Sequence, residues 1–464
     1  MGTYDPKAFQ ALTFHDATER FRDGSDTPRD YLERCLATIA EKEPTVQAYA
    51  AMNEEGARQA ADKATGRWRD GCPRSPIDGM PVSIKDLLET KDMPTQMGCA
   101  AYEGNFPKRD NAAVWALREA GAVVFGKTVT AEIGGAHPGP TTNPFDASRT
   151  PGGSSSGSAA AVASRMVPAA IGSQVGGSII RPAGFCGNVA LKPTQGGINR
   201  GERQATSMST HGPHAGCIED MWHVAIEIAK RAGGDRGCLG LFGPDAPPAP
   251  AKPARLIVLE TQGWERIDAS TQAVFNELVG RIEDSGIEVL TRSNNGLVDA
   301  FERTIGNAQN VASGITGWEN RWNTRNLVDQ HPTGVSERAK SVLARAEAMT
   351  PADYRALLIE RQSAQAAHEA IGHLAEGMIT LACPGGAPVW AGDKPGEPLA
   401  PRPTGDAVFN YPSSMLFAPV VTVPLMAQGG LPIGLQVMGQ PHTDAQVTAH
   451  ARWLLENVAP VAAS

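Results

Sequence analysis

Pro-Gly-Gly-Ser-Ser-Ser-Gly-Ser (151–158), running through Ala-Ala-Ala-Val-Ala-Ser (159–164) and Val-Pro-Ala-Ala-Ile-Gly (167–172) to Val-Gly-Gly-Ser-Ile-Ile-Arg-Pro (175–182), decides how this chain is read. Ser154 and Ser178 each follow a Gly-Gly pair. Serines set in glycine can be reached by a substrate and are surrounded by free backbone N–H groups, which is how a nucleophile is presented. Gly/Ser runs also serve as flexible linkers. A linker, however, has no need of the two apolar runs between the serines, which would bury well.

Around this stretch the pattern is α/β. Residues 27–41 and 109–121 read as amphipathic helices, the first opened by Thr27 as cap and Pro28 as first helical residue. β-rich runs occur at Met80–Ile84, Ala122–Phe125, Leu256–Leu259, Gly286–Leu290, Pro419–Val423 and Ile433–Val437. Strands alternating with helices predict a central sheet covered by helices on both faces. The chain of 464 residues, 41% apolar, can bury a large core. Its one clear interruption, the Pro-rich Gly243–Pro253, reads as a surface crossing within a single domain spanning 1–464.

A net charge of −8 with no Lys/Arg stripe argues against a nucleic-acid partner. Neither a secretory leader nor a run of about 18 uncharged apolar residues is found, so no membrane contact is expected and a cytoplasmic location is. Seven scattered cysteines without a C-x-x-C pair favour reduced, buried thiols over disulfides or zinc.

Several motifs compete with the serines. Gly121-Ala-Val-Val-Phe-Gly-Lys127-Thr128 fits the P-loop expression, but the residues between its glycines are themselves a strand. His368-Glu-Ala-Ile-Gly-His373 has one residue too many for two imidazoles on one helical face, which leaves solvated or helix-surface histidines. His211-Gly-Pro-His214 reads as a structural turn, and no metal site is expected. Gly153-Ser-Ser155-Ser-Gly157 matches the nucleophile elbow of α/β-hydrolases, yet turn formers (143–151) stand where the elbow needs a strand.

A serine without a histidine needs another base. Lys85, at the end of the apolar run after Asp78-Gly-Met-Pro, is the candidate. Burial destabilises an ammonium, so such a lysine can become a proton acceptor near neutral pH. The plain alternative is a wet edge-strand lysine paired with Asp86.

The chain resembles the amidase signature family over nearly its whole length. The resemblance begins at Leu12 and runs through Asp78-Gly-Met-Pro, Lys85-Asp86, Gly121–Glu132, Thr142-Asn-Pro-Phe-Asp, Pro151-Gly-Gly-Ser154, Gly176-Gly-Ser178, Gly187–Thr194 and Gly430–Gly439. Its core motifs fall in 78–220 and 405–440, with a variable substrate region at about 250–400. The resemblance implies that family's fold, with a mixed, twisted central sheet. It also implies a Ser-cisSer-Lys triad of Ser178, Ser154 and Lys85, with Ser154 after a cis peptide bond. Backbone N–H groups of Val175, Gly176, Gly177 and Ser178 would form the oxyanion hole. The implied activity is hydrolysis of a small-molecule amide through an acyl-enzyme, without cofactor, and a homodimer is left open.

The sequence also departs from the family pattern. Ser156 replaces a usual glycine and places a hydroxyl near the relay. Gln174 and Ser209 replace usual aspartates, and the arginine normally two residues after the nucleophile is displaced to Arg181. The Gln174 and Arg181 changes are read as linked and neutral for catalysis. Met97, Trp318, Trp322 and Tyr411 are candidate walls of the acyl pocket, core tryptophans being the alternative for Trp318 and Trp322. Two other functions stay open, an α/β-hydrolase-type esterase using Ser155 and the amidase component of a tRNA-dependent amidotransferase.

Overall fold

Val123, Val124 and Phe125 alternate between two cores. Val124 packs with the helices Ala112–Glu119 and Ile218–Ala232, while Val123 and Phe125 pack with Pro28–Val46, Glu54–Arg69 and Ser156–Ala163. A period of two with both sets buried means that helices cover both faces of the sheet. The computed structural model describes residues 3–135, 137–202, 206–394 and 397–463.

Twelve strands form one mixed sheet. They are β1 (Tyr49–Met52), β2 (Pro81–Lys85), β3 (Val123–Thr128), β4 (Ala169–Gln174), β5 (Val189–Lys192), β6 (Thr210–Ala215), β7 (Arg255–Val258), β8 (Glu288–Leu290), β9 (Gly377–Leu381), β10 (Val420–Gln428), β11 (Leu431–Met438) and β12 (Val461–Ala463). Their order is β1-β3-β2-β4-β6-β5-β10-β11-β9-β7-β8, with β12 beside β10. β2 runs parallel to both neighbours, whereas β4, β6, β5, β10, β11 and β9 alternate antiparallel. Strands from both sides of the Pro-rich crossing at 243–253 share this one sheet. Among the described residues no helix is long and apolar enough to cross a membrane.

The helix starting at Pro28 is capped by the Thr27 hydroxyl, which accepts from Asp30 N–H, and it continues to Val46. β10 and β11 form a hairpin whose turn residues, Gly429 and Gly430, have φ of 56° and 70°, the left-handed pair a tight hairpin requires. The apolar run at 159–164 lies on the helix Ser156–Ala163, and that at 167–172 leads into β4.

Three expectations are corrected. His211-Gly-Pro-His214 is not a turn but most of β6, and both imidazoles are buried. Proline is disfavoured in central strands because it lacks a donor. β5 pairs only with His214 and Ala215, so at Pro213 one flank of the strand has no ladder to complete. His368 is not solvated. It lies buried in the helix Pro351–Ala370 with its ring stacked on Phe301, 5.9 Å between centroids. All seven cysteines are free, but Cys72 and Cys238 are exposed rather than buried.

Gly212 shows how tightly the central strands approach, since a Cβ there would lie 2.0 Å from the Leu191 carbonyl oxygen. That obstacle is backbone and cannot swing aside. Gly212→Ala is predicted to lose about 1–3 kcal/mol of stability, read as a lower urea midpoint at unchanged slope. An unaltered midpoint would contradict this packing.

Candidate active site

Lys85 is the last residue of β2, an interior strand between β3 and β4, and its side chain is completely buried. Its Nζ lies 2.8 Å from Ser154 Oγ, 3.0 Å from Ser155 Oγ, 3.0 Å from Ser173 Oγ and 3.3 Å from the Ser173 carbonyl oxygen. Among the described residues it makes no ion pair. The neighbouring Asp86 instead pairs with Lys127 at 2.9 Å, so the edge-strand alternative for Lys85 is not what the chain adopts. Burial, seconded by the charge of Arg181, drives the Lys85 pKa well below the ordinary lysine value.

A neutral amine has two N–H donors and one lone pair, and the oxygens around Lys85 suit it. The Ser173 carbonyl can only accept, and the Ser155 hydroxyl donates to that carbonyl at 3.2 Å. The Ser154 hydroxyl can therefore donate to the lone pair. Lys192 provides a contrast. It too is wholly buried, with its pKa pushed down to about 7, but it donates to the carbonyls of Ala418 and Pro193, from which no proton can be drawn.

Ser154 is 2% exposed and follows a cis peptide bond from Gly153. Its own carbonyl accepts from Ala131 N–H at 3.0 Å. Gly152 has φ of 88°, and a Cβ there would lie 2.8 Å from Pro182 Cα, so the loop requires glycine. The Ser156 hydroxyl lies in the same loop, donates to the Gly152 carbonyl and makes no contact with Lys85. Ser155 N–H donates to the Ser178 carbonyl at 3.3 Å, which brings the two glycine-led loops together. Ser178 is half-buried, so of the two serines it is the one open to solvent.

Among the described residues, the N–H groups of Val175, Gly176, Gly177 and Ser178 have no intramolecular acceptor. Gln174 sets that arrangement. Its Oε1 accepts from the N–H groups of Ile179 and Ile180 at 2.9 and 3.0 Å, closing the start of the helix Ile180–Cys186. Its Nε2 donates to Ser414 Oγ, which in turn donates to the Gly176 carbonyl, fixing that peptide. Gln174 does not pair with Arg181, whose guanidinium binds the Gly153 carbonyl and Thr404.

Of the four pocket candidates, Tyr411 packs its ring over Gly176, where a Cβ would lie 2.7 Å from the ring. Met97 is buried and bonded through its backbone to Asp86 and Ile133. Trp318 stacks on Tyr354, centroids 5.5 Å apart, with the Arg321 guanidinium on its ring. Trp322 is 71% exposed, so it is not a core tryptophan. Sequence reasoning missed Ser173 as a contact of Lys85. The sequence carries no signal for it: β4, a poor strand former, was not legible, and only its pairing with β2 sets the chain just after Ile171 beside Lys85.

The family model described as Amidase matches residues 30–448. A glutamyl-tRNA(Gln) amidotransferase subunit of Chloroflexus aggregans is 30% identical over 469 residues, covering 94% of each chain. The same-named subunit of Rhodopirellula baltica is 40% identical over 232 residues, a match covering 48% of this chain and only 46% of that relative. Among solved structures, an amidase superposes with a TM-score of 0.82 at 28% identity, covering 96% of this chain and all of the other. The peptide amidase of Stenotrophomonas maltophilia does so at 0.77 and 25% identity, covering 97% of each. The chain belongs to the amidase family, enzymes that act on carbon–nitrogen bonds.

Gln174→Leu removes the acceptor of two buried N–H groups at the start of the helix Ile180–Cys186. We expect a stability loss of about 2 kcal/mol or more, seen in a denaturant titration. A variant as stable as the parent would show that water or another group replaces the amide oxygen.

Proposed function

We propose that this chain hydrolyses a carboxylic amide of a small molecule through an acyl-enzyme on Ser178. The observation that carries this reading is a fully buried Lys85 without counter-ion, 2.8 Å from the Ser154 hydroxyl. Neutral Lys85 takes the Ser154 hydroxyl proton while Ser154 takes that of Ser178, and Ser178 Oγ attacks the amide carbonyl. The oxyanion is held by the free N–H groups at 175–178, donors typically worth a few kcal/mol in the transition state. Collapse expels the amine, which receives a proton from Ser154, itself resupplied by the Lys85 ammonium. Water then attacks the ester by the same relay run in reverse, giving carboxylate and restoring neutral Lys85.

An esterase elbow at Ser155 is not supported, since that serine is wholly buried with its hydroxyl bound to Lys85 and Ser173. A second reading, the amidase component of a tRNA-dependent amidotransferase, is favoured by the name of the relatives covering 94% of the chain. That name refers to glutamyl-tRNA, so the expectation of no nucleic-acid partner, drawn from net charge, has no support from the comparisons. Ammonia release by the isolated chain from simple amides supports the first reading. Ammonia release found only with co-purifying partner chains supports the second.

A fluorophosphonate probe should modify Ser178, located by peptide mass. Lys85→Ala and Ser154→Ala should each slow the labelling about 10²–10⁴-fold, the usual worth of a positioned acid–base group. Because the depressed Lys85 pKa belongs to an acid whose neutral form is the base, the rate should rise with pH through that pKa and be lost below it. Modification at Ser155, or labelling at full rate without Lys85, would sink the scheme.

A further inference from the structure

Arg181 lies in the first turn of the helix Ile180–Cys186, three residues after Ser178, and is 6% exposed. Among the described residues no carboxylate comes within ion-pair distance of it. Its Nε donates to the Thr404 carbonyl at 2.9 Å, and its Nη2 to Thr404 Oγ1 at 3.0 Å and the Gly153 carbonyl at 2.6 Å. The last is the oxygen of the peptide bond that leads into Ser154. It is short, as expected of a charge-assisted bond. A buried cation held only by neutral oxygens is costly, and a neutral donor could hold a carbonyl as well. The position therefore calls for a reason to keep the charge.

That reason is the group on the far side of Ser154. Lys85 Nζ touches Ser154 Oγ, so the guanidinium and the Lys85 amine are separated by one carbonyl and one residue in a buried region. A second positive charge there is opposed by the first, unscreened by solvent. The other titratable groups around Lys85 do not offset this. His211 and His214 on β6 are both pushed down to about 3 by burial and stay neutral, and Asp86 is taken by Lys127. Around Arg181, burial pushes the Cys383 thiol up to about 12, so it is neutral. Asp406 is engaged by Arg266 and Arg402 at 3.1 and 2.7 Å.

We propose that Arg181 is a positioning residue for the relay, clamping the Gly153–Ser154 peptide against Lys85 and, as an unpaired buried cation, holding Lys85 in its proton-accepting form. This rests on the reading of Lys85 as the base. A displaced arginine after the nucleophile is then not neutral for catalysis.

The test is the rate of fluorophosphonate labelling at Ser178 as a function of pH in the full chain, for the parent, Arg181→Met, Arg181→Lys and Thr404→Val. Arg181→Met should still label Ser178, with a plateau about tenfold to a hundredfold lower from the loosened geometry. Its acid limb should be displaced to higher pH by about one unit or more, since removing the cation eases protonation of Lys85. Arg181→Lys, which keeps the charge, should return the limb toward the parent position. Thr404→Val keeps the guanidinium and should lower the plateau without moving the limb, and it replaces Arg181→Met as the deciding variant should the latter not fold. A limb in Arg181→Met that coincides with the parent's, or one that moves in Thr404→Val, overturns the proposal. Parent protein that does not label at Ser178, or labels without Lys85, instead overturns the underlying triad.

Discussion

A lysine amine closed off from water, with serine oxygens around it and no carboxylate to neutralise it, is the constraint on which the rest of this molecule depends. Burying an ammonium in that way is costly, and the cost is avoided if the amine is neutral. β2 lies between two parallel neighbours, and the glycine-led loop before Ser156 together with Ser173 of β4 brings hydroxyls to the tip of Lys85. The region that buries Lys85 also keeps Ser154 inside and leaves Ser178 as the serine that meets solvent, which is what the proposed relay requires.

Three lysines, 85, 127 and 192, are fully buried, and comparing them separates function from structure. Lys127 keeps its charge by pairing with Asp86 and donating to Pro94 and Thr95, which ties β3 to the loop after β2. Lys192 donates to two carbonyls and braces β5 against the chain at Ala418. Lys127 also meets a hydroxyl, Thr95 Oγ1, but has Asp86 as counter-ion; among the described residues Lys85 alone of the three combines hydroxyl neighbours with no carboxylate partner. Burial and a depressed pKa are thus insufficient signs of a base; a neighbour able to donate and the lack of a counter-ion are needed as well.

The parts of this arrangement that were legible in the sequence are those written in local pattern. Gly-Gly before Ser154 and Ser178, and Lys85 at the end of Met80–Ile84, could be read because glycine and apolar runs signal within a few residues. The strands at 122–125, 256–259 and 433–437 were visible for the same reason. β4 and β6 were not, since Ala, Gly, Ser, His and Pro are poor strand formers and these segments are held by pairing on both sides. Nor could the contacts of Gln174 and Arg181 be read. Their partners are mostly backbone groups, with Ser414 and Thr404 hydroxyls far along the chain, and no residue-type pattern marks a carbonyl.

The most direct measurement is the charge state of Lys85 itself, by ¹⁵N NMR of the lysine Nζ in selectively labelled protein, with Lys85→Ala to assign the resonance. A neutral amine signal persisting well below the ordinary lysine range, turning to ammonium only as the pH is lowered further, is what a buried, carboxylate-free site predicts. An ammonium signal persisting from pH 7 to about 10, the ordinary lysine range, would contradict Lys85 as the base.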